Sequence, residues 1–162
     1  MIPRAFFVSS GVGMDPEPAI AFDLALRDAG IGECNLVEVS SILPADAVEI
    51  DREHASMKPG AITFCVLSRA DGGSGDVIGA GVGYGWLGAA AEQGTANRAF
   101  GIICEHHGHH SRPFLAGKIQ EKLDKMAAMR KLQVHARELV VESVEVEQGK
   151  YGSVVVALVL LF

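Results

Sequence analysis

The chain has 162 residues, 49% of them hydrophobic and 21% charged, a balance that buries a core and excludes a disordered or low-complexity protein. A formal net charge of −6, with no lysine- or arginine-rich run, argues against nucleic acid as a partner, because phosphate binding needs a basic patch. At this length one domain over residues 1–162 is the economical reading.

The cysteines Cys34, Cys65 and Cys104 are odd in number, far apart and set in apolar runs. They read as reduced residues of a cytoplasmic protein, with no CxxC to suggest zinc. Met1-Ile2-Pro3-Arg4 runs straight into a strand-like stretch and lacks the apolar region of a signal peptide. The apolar tail Val154 to Phe162 is too short for a membrane helix of about 20 residues, so it is expected to form a buried strand and not a membrane anchor.

In chain order, residues 4–9 are aromatic and β-branched and predict a strand, followed by a glycine- and proline-bearing loop over 11–18. Helical spacing of Ile20, Ala21, Leu24 and Ala25 predicts a helix from about Pro18 to Ala29, stopped by Gly30. The short apolar run Leu36 to Val39 reads as a buried strand that delivers Ser40 and Ser41 to a Pro44-containing loop. Residues 44–59 have no period and are expected to be a loop or extended connection. A buried strand is predicted over 61–68, a hairpin-like turn over 70–76 and a return strand over 77–86. Glycines 79, 81, 83 and 85 leave one face of that strand bare, so another backbone or a bound group is expected to approach it closely.

Gly83 to Gly88 also matches GxGxxG, with Glu105 at about the distance of a ribose-binding acid. The roughly ten residues after Gly88 are broken by Gly94, too few for a βαβ crossover, which argues against a dinucleotide site. An apolar strand over 99–104 ends at Glu105 and meets an exposed His106–His110 loop. Four imidazoles there could take up a metal adventitiously, but no settled carboxylate or thiolate spacing accompanies them, so no functional metal is expected. Ser111 is the expected N-cap of a helix running to about Arg137, with Leu115, Ile119, Leu123, Met126 and Leu132 on one face and Glu121–Lys125 paired on another. Alternation over 139–147 and a turn at 148–152 predict a closing hairpin.

The serine pair carries the reactive possibility. A serine hydroxyl can attack the carbonyl before it, convert the peptide to an ester, and leave by β-elimination a dehydroalanine that hydrolyses to a pyruvoyl group. Taken alone, two adjacent serines are equally a strand end with hydroxyls capping a turn. Asp23 alone is a solvent-facing helix carboxylate, and Glu105 alone a carboxylate at a strand end.

The joint pattern Ala21-Phe22-Asp23, Ala29-Gly30-Ile31-Gly32, Asn35-Leu36 and Val39-Ser40-Ser41-Ile42-Leu43-Pro44, followed by Gly60-Ala61 and Ile102-Ile103-Cys104-Glu105, resembles the pyruvoyl-dependent arginine decarboxylase family. That resemblance implies an α+β fold built as a four-layer α-β-β-α sandwich and assembled as a trimer, or a dimer of trimers, with sites between protomers. It implies self-cleavage between Ser40 and Ser41 into a beta chain, 1–40, and an alpha chain, 41–162, that begins with a pyruvoyl group made from Ser41, so that no PLP is needed. Asn35 would hydrogen-bond the oxyanion of the acyl shift, Asp23 would hold the substrate guanidinium, and Glu105 would protonate the substrate carbon after CO2 leaves. The implied reaction converts L-arginine to agmatine through a Schiff base, in arginine and polyamine metabolism. A pyruvoyl decarboxylase of another amino acid, and an uncleaved binding or structural homologue, are the alternatives. The His106–His110 cluster departs from the family pattern.

Overall fold

The computed structural model describes residues 1–89 and 98–162. Two sheets form an α+β framework. The first contains β1 (Ala5–Asp15), β2 (Asn35–Glu38), β4 (Val48–Glu49), β5 (Ile62–Gly72) and β9 (Tyr151–Leu161), in the order β2-β5-β9-β1-β4. The second contains β3 (Ile42–Leu43), β6 (Val77–Gly88), β7 (Phe100–Gly108) and β8 (Gln133–Glu145), in the order β3-β7-β6-β8. Helices α1 (Pro18–Asp28) and α2 (Arg112–Ala128) complete the described elements, with one 3-10 turn at Arg52–His54.

Side-chain alternation sorts the apolar residues into three clusters. Phe6, Val66, Val82, Trp86, Ile103 and Leu158 belong to a core between the sheets. Phe7, Cys65 and Val159, from the opposite face of the first sheet, pack with Ala25 of α1 and Ala29 at its C-cap. Ile102 and Cys104 of the second sheet pack with Ile119 and Leu123 of α2. Ser68 ties the sheets together inside the core, donating to the carbonyl of His106 at 2.9 Å and accepting from the Gly81 amide at 3.2 Å.

Several expected boundaries move, each for a packing reason. β1 continues through Gly11 and Gly13, read from sequence as loop, because full pairing with β9 carries it to Asp15. A Cβ at Gly11 would overlap the carbonyl oxygen of Ala25, so these glycines admit α1 rather than break the strand. Similarly, what approaches the bare face of β6 is α2: a Cβ on Gly79 would lie 2.6 Å from Leu115 Cδ1, and one on Gly81 2.6 Å from Ile119 Cδ1. The expected neighbour, a backbone or bound group, is therefore mainly a row of helix side chains.

The second helix ends at Ala128, not near Arg137. Lys131 turns back with φ 55°, and Val134 and His135 pair with Leu87 and Trp86, so sheet pairing overrides helix-forming composition. The apolar face, Ser111 at the N-cap position and the Glu121–Lys125 pair at 2.7 Å stand as expected, although the Ser111 hydroxyl makes no capping bond. Neither predicted hairpin is a paired one: β5 and β6 lie in different sheets, as do β8 and β9, so both turns carry the chain across the core. β2, expected buried, is a parallel edge strand on β5 with Asn35, Val37 and Glu38 exposed. Within 44–59, β4 pairs in parallel with β1.

Because α1 rests on Gly11 without a gap, Gly11→Val should force helix and strand apart. Overpacking of this kind costs about 1–3 kcal/mol, to be read as a lower denaturant midpoint with the slope unchanged.

Candidate active site

The serine pair lies on the shortest bridge between the sheets. Val39 donates its amide to Cys65 O of β5 at 2.9 Å, and the carbonyl of Ser41 accepts from Ile103 N of β7 at 2.8 Å. Val39 is thus tied to one sheet and Ser41 to the other, leaving Ser40, exposed, as the residue between. Ser40 also borders an apolar cleft of about 580 Å³ that includes Ile2, Phe64, Phe100, Leu160 and Phe162. A peptide bond held at both flanks and open at its centre presents its carbonyl to a neighbouring hydroxyl in a restricted geometry.

Glu105 is inside β7, not at its end, because β7 continues through the first two histidines to Gly108. It stands two residues along the strand from Ile103, about 7 Å from the position that holds Ser41. Its carboxylate Oε2 is 2.9 Å from His107 Nδ1, and its side chain keeps 35% of its accessibility. Lys122 of α2 donates to the Glu105 carbonyl at 2.9 Å and contacts His106 Nδ1 at 2.9 Å.

A second cleft, of about 520 Å³, gathers Phe22 and Leu26 from α1, Asn35 and Glu38 from β2, Arg69 from β5 and His107. Asp23 is the exposed helix neighbour of Phe22, and among the described residues no ion pair engages it. Asn35 donates through Nδ2 to Gly60 O at 3.0 Å. The structure therefore brings Asn35 and His107 to one cleft, which Glu105 adjoins through its contact with His107, while Asp23 follows Phe22 on α1 and does not line it. Ser41 lies six residues beyond Asn35, at the far end of β2 and roughly 20 Å away along an extended chain, so Asn35 does not reach the Ser40 carbonyl of its own chain.

Three participants are absent from the sequence reading. Arg69 places its guanidinium 3.5 Å from the centre of the Phe22 ring and pairs with Asp71 at 2.8 Å. Nothing local marks this contact. Lys122 approaches Glu105 from a helix 17 residues on, also without a local signal. His107 was legible: on a strand, residues 105 and 107 share a face.

The histidines diverge instead of forming an exposed loop cluster. His106 stacks on His110, whose ring stacks on Phe114 at 4.3 Å, and His109 reaches Asp71 O at 3.3 Å. Among the described residues no three His, Cys, Asp or Glu side chains converge for a metal. Burial lowers the His106 pKa, helped by the Lys122 and His110 charges. Burial also pushes the thiols of Cys65 and Cys104 up to about 11. The GxGxxG run lies within β6 and not on a phosphate-binding loop, which removes the dinucleotide reading. The ten or so residues after Gly88 that a crossover would need lie largely outside the described residues.

A two-sheet α+β frame with a serine pair at its crossover and a carboxylate on the adjoining strand defines the class of site. The family model for pyruvoyl-dependent arginine decarboxylase (PvlArgDC) matches residues 5–162, and the chain belongs to that family. Pyruvoyl-dependent arginine decarboxylase from Methanopyrus kandleri is 32% identical over 158 residues, covering 98% of this chain and 97% of the relative. Pyruvoyl-dependent arginine decarboxylase 2 from Methanosarcina mazei is 40% identical over 125 residues, 76% of this chain and 65% of the relative. The protein of that activity from Methanocella arvoryzae is 38% identical over 126 residues, 76% and 72% respectively. The chain matches less than two thirds of the length of several curated relatives, the Methanosarcina mazei protein among them. Among the described residues no helix is long and apolar enough to cross a membrane.

Two solution properties follow. Neutral-pH alkylation of the folded protein should label the half-exposed Cys34 and spare Cys65 and Cys104, whose buried thiols stay protonated; peptide mapping reads this directly. Because His106 has a depressed pKa in the fold, the unfolded chain binds more protons below about pH 6.5, so its stabilising effect is complete above that pH and lost as pH falls through it. Thermal melts of His106→Gln should show a shallower loss of stability between about pH 6.5 and 5 than the wild type.

Proposed function

We propose that the protein is a pyruvoyl-dependent amino-acid decarboxylase that makes its own electrophile at Ser41 and converts L-arginine to agmatine and CO2. The observation that carries this reading is the Ser40–Ser41 bond on a bridge held by Cys65 on one sheet and Ile103 on the other. The Ser41 hydroxyl attacks the Ser40 carbonyl, the peptide becomes an ester, and loss of the Ser41 Cα proton expels residue 40 as a carboxylate. Hydrolysis of the resulting dehydroalanine releases ammonia and leaves chains 1–40 and 41–162. The pyruvoyl ketone supplies an electrophile for the substrate amine and a sink for the electrons left by CO2.

The remaining work falls to side chains. Asp23 can accept the two parallel bonds of a guanidinium, the fork that a carboxylate matches and a neutral group does not. Glu105 delivers the proton to the carbon that has lost CO2. Asn35 donates to the oxyanion of the acyl shift. Its place at the opposite end of β2 from the serines favours a site shared between chains, as in a trimer or a dimer of trimers. The three core clusters favour a four-layer α-β-β-α sandwich in one domain, and the free thiols suit a reducing cytoplasm.

A second reading keeps the chemistry but changes the amino acid. Arg69 brings a cation into the same cleft as Asp23's neighbour Phe22, paired with Asp71 and sharing the cleft with Glu38, before a guanidinium enters. A substrate panel with released CO2 as readout separates arginine from other amino acids.

Intact mass under denaturing conditions should show two pieces split after Ser40, the larger blocked to N-terminal sequencing and reactive to a carbonyl reagent. Ser41→Ala should remain one 17.1 kDa chain with no CO2 release. A wild-type chain that stays whole on long incubation removes the electrophile and leaves a binding scaffold. In the processed enzyme, Asp23→Asn should raise KM for arginine roughly tenfold to a hundredfold, the size of a lost charged hydrogen bond, with a smaller effect on kcat.

A further inference from the structure

We infer that His107 is a positioning residue for Glu105 and the route by which its proton is replaced after each turnover. This rests on the reading of Glu105 as the acid. Decarboxylation of a carboxylate consumes one proton, because the bond to CO2 is replaced by a bond to hydrogen. An acid that gives its proton to carbon must therefore be reloaded before the next cycle, and the supply has to come from solvent.

The geometry provides one path. His107 Nδ1 is 2.9 Å from Glu105 Oε2, and the imidazole retains 52% of its accessibility against 35% for the carboxylate. One ring nitrogen thus faces the acid while the histidine as a whole reaches solvent. As Glu105 passes its proton to carbon, the Nδ1 proton of His107 moves to Oε2 while Nε2 takes a proton from a solvent hydronium ion; proton exchange with solvent then returns the ring to its Nδ1–H tautomer, so the one proton consumed per CO2 released comes from solvent. Alternation along β7 puts both side chains on one face, and Lys122 fixes the Glu105 backbone from the other side through its carbonyl. The pair needs no further hinge to meet.

Other charged groups surround the relay without replacing it. Glu38 and Arg69 share the cleft with His107, and Asp71 takes the Arg69 charge. Lys122 is turned to His106 Nδ1 and the backbone, and His109 to Asp71 O. Among these hydrogen bonds only His107 engages the carboxylate of Glu105.

The experiment uses the processed wild-type enzyme beside His107→Gln, His107→Ala and Glu105→Gln. Wild-type cleavage and CO2 release, and their loss as turnover in processed Glu105→Gln, test the underlying reading by themselves. With that reading intact, His107→Gln can hold the carboxylate through its amide but cannot carry a proton. It should lose roughly tenfold in kcat, with KM little changed and an altered pH profile. Added imidazole should restore His107→Ala and leave Glu105→Gln unmoved. Unchanged kcat and pH profile in His107→Gln, or no rescue of His107→Ala, would overturn the inference while the decarboxylase reading stands.

Should the histidine variants fail to cleave or fold, nitrogen-15 NMR of histidines in the processed Glu105→Gln protein decides. The His107 signals should shift against wild type while those of His54 do not. Equal shifts at both, or none at His107, would show that the pair is not formed in solution.

Discussion

The tie between the two sheets at residues 39 to 41 sets the constraint on which the site depends. A chain passing from one sheet to another usually spends several residues in a turn, as at 73–76 and 146–150 here. Between β2 and β3 the interval is compressed, with Val39 already bonded to Cys65 and Ser41 to Ile103. Backbone groups paired on either side restrain the segment, so freedom is confined to the two peptides that flank Ser40, the serine–serine bond among them. The same bonds mean that a break at this position need not release either end: residues before it remain on β5 and residues after it on β7. A fold can thus lose a covalent bond and keep the surfaces that the bond joined.

That tie is useful only if the sheets are themselves fixed, and glycine does this at both outer faces. On β1, Gly11 and Gly13 let α1 settle onto the strand; on β6, Gly79 and Gly81 do the same for Leu115 and Ile119 of α2. The buried hydroxyl of Ser68 adds a polar link from β5 to β7 and β6, which defines how the strands cross where Glu105 and His106 begin. Position of the acid is therefore a consequence of helix packing as well as of its own strand.

The sequence made much of this visible where local chemistry and tertiary packing agree. The alternating glycines announced a close approach, and helical spacing in 18–28 and 112–128 found both helices. The failures occur where pairing partners decide. Residues 129–137 are good helix formers, yet 133–135 are held by β6, with Ala136 at φ 46° in the register shift between Tyr84 and Trp86. Likewise His106 and His107 look like loop because they are polar, although their backbone completes β7 against Gly81 and Ala80. Treating them as loop hid the alternation that pairs His107 with Glu105. Distant contacts such as Lys122 with Glu105 and Arg69 with Phe22 leave no periodic mark at all.

The opposite ends of β2 carry the last step. Asn35 begins the strand, near Phe22 and His107, while the serines follow its other end. A strand is stiff and its length is fixed by its residue count, so motion within one chain cannot bring the two ends together. The proposed reaction, which uses both Asn35 and Ser41 in one place, is therefore best served by taking them from different copies of the chain. Such copies need a complementary surface, and Val37 on the edge strand β2 and Ile62 at the start of its neighbour β5, both exposed, offer apolar area beside the cleft. Edge strands also expose unpaired backbone groups, which a neighbouring chain can cover. In the proposed shared site, assembly and site formation are one event, and the reacting carbonyl meets the Asn35 donor only across a contact between copies.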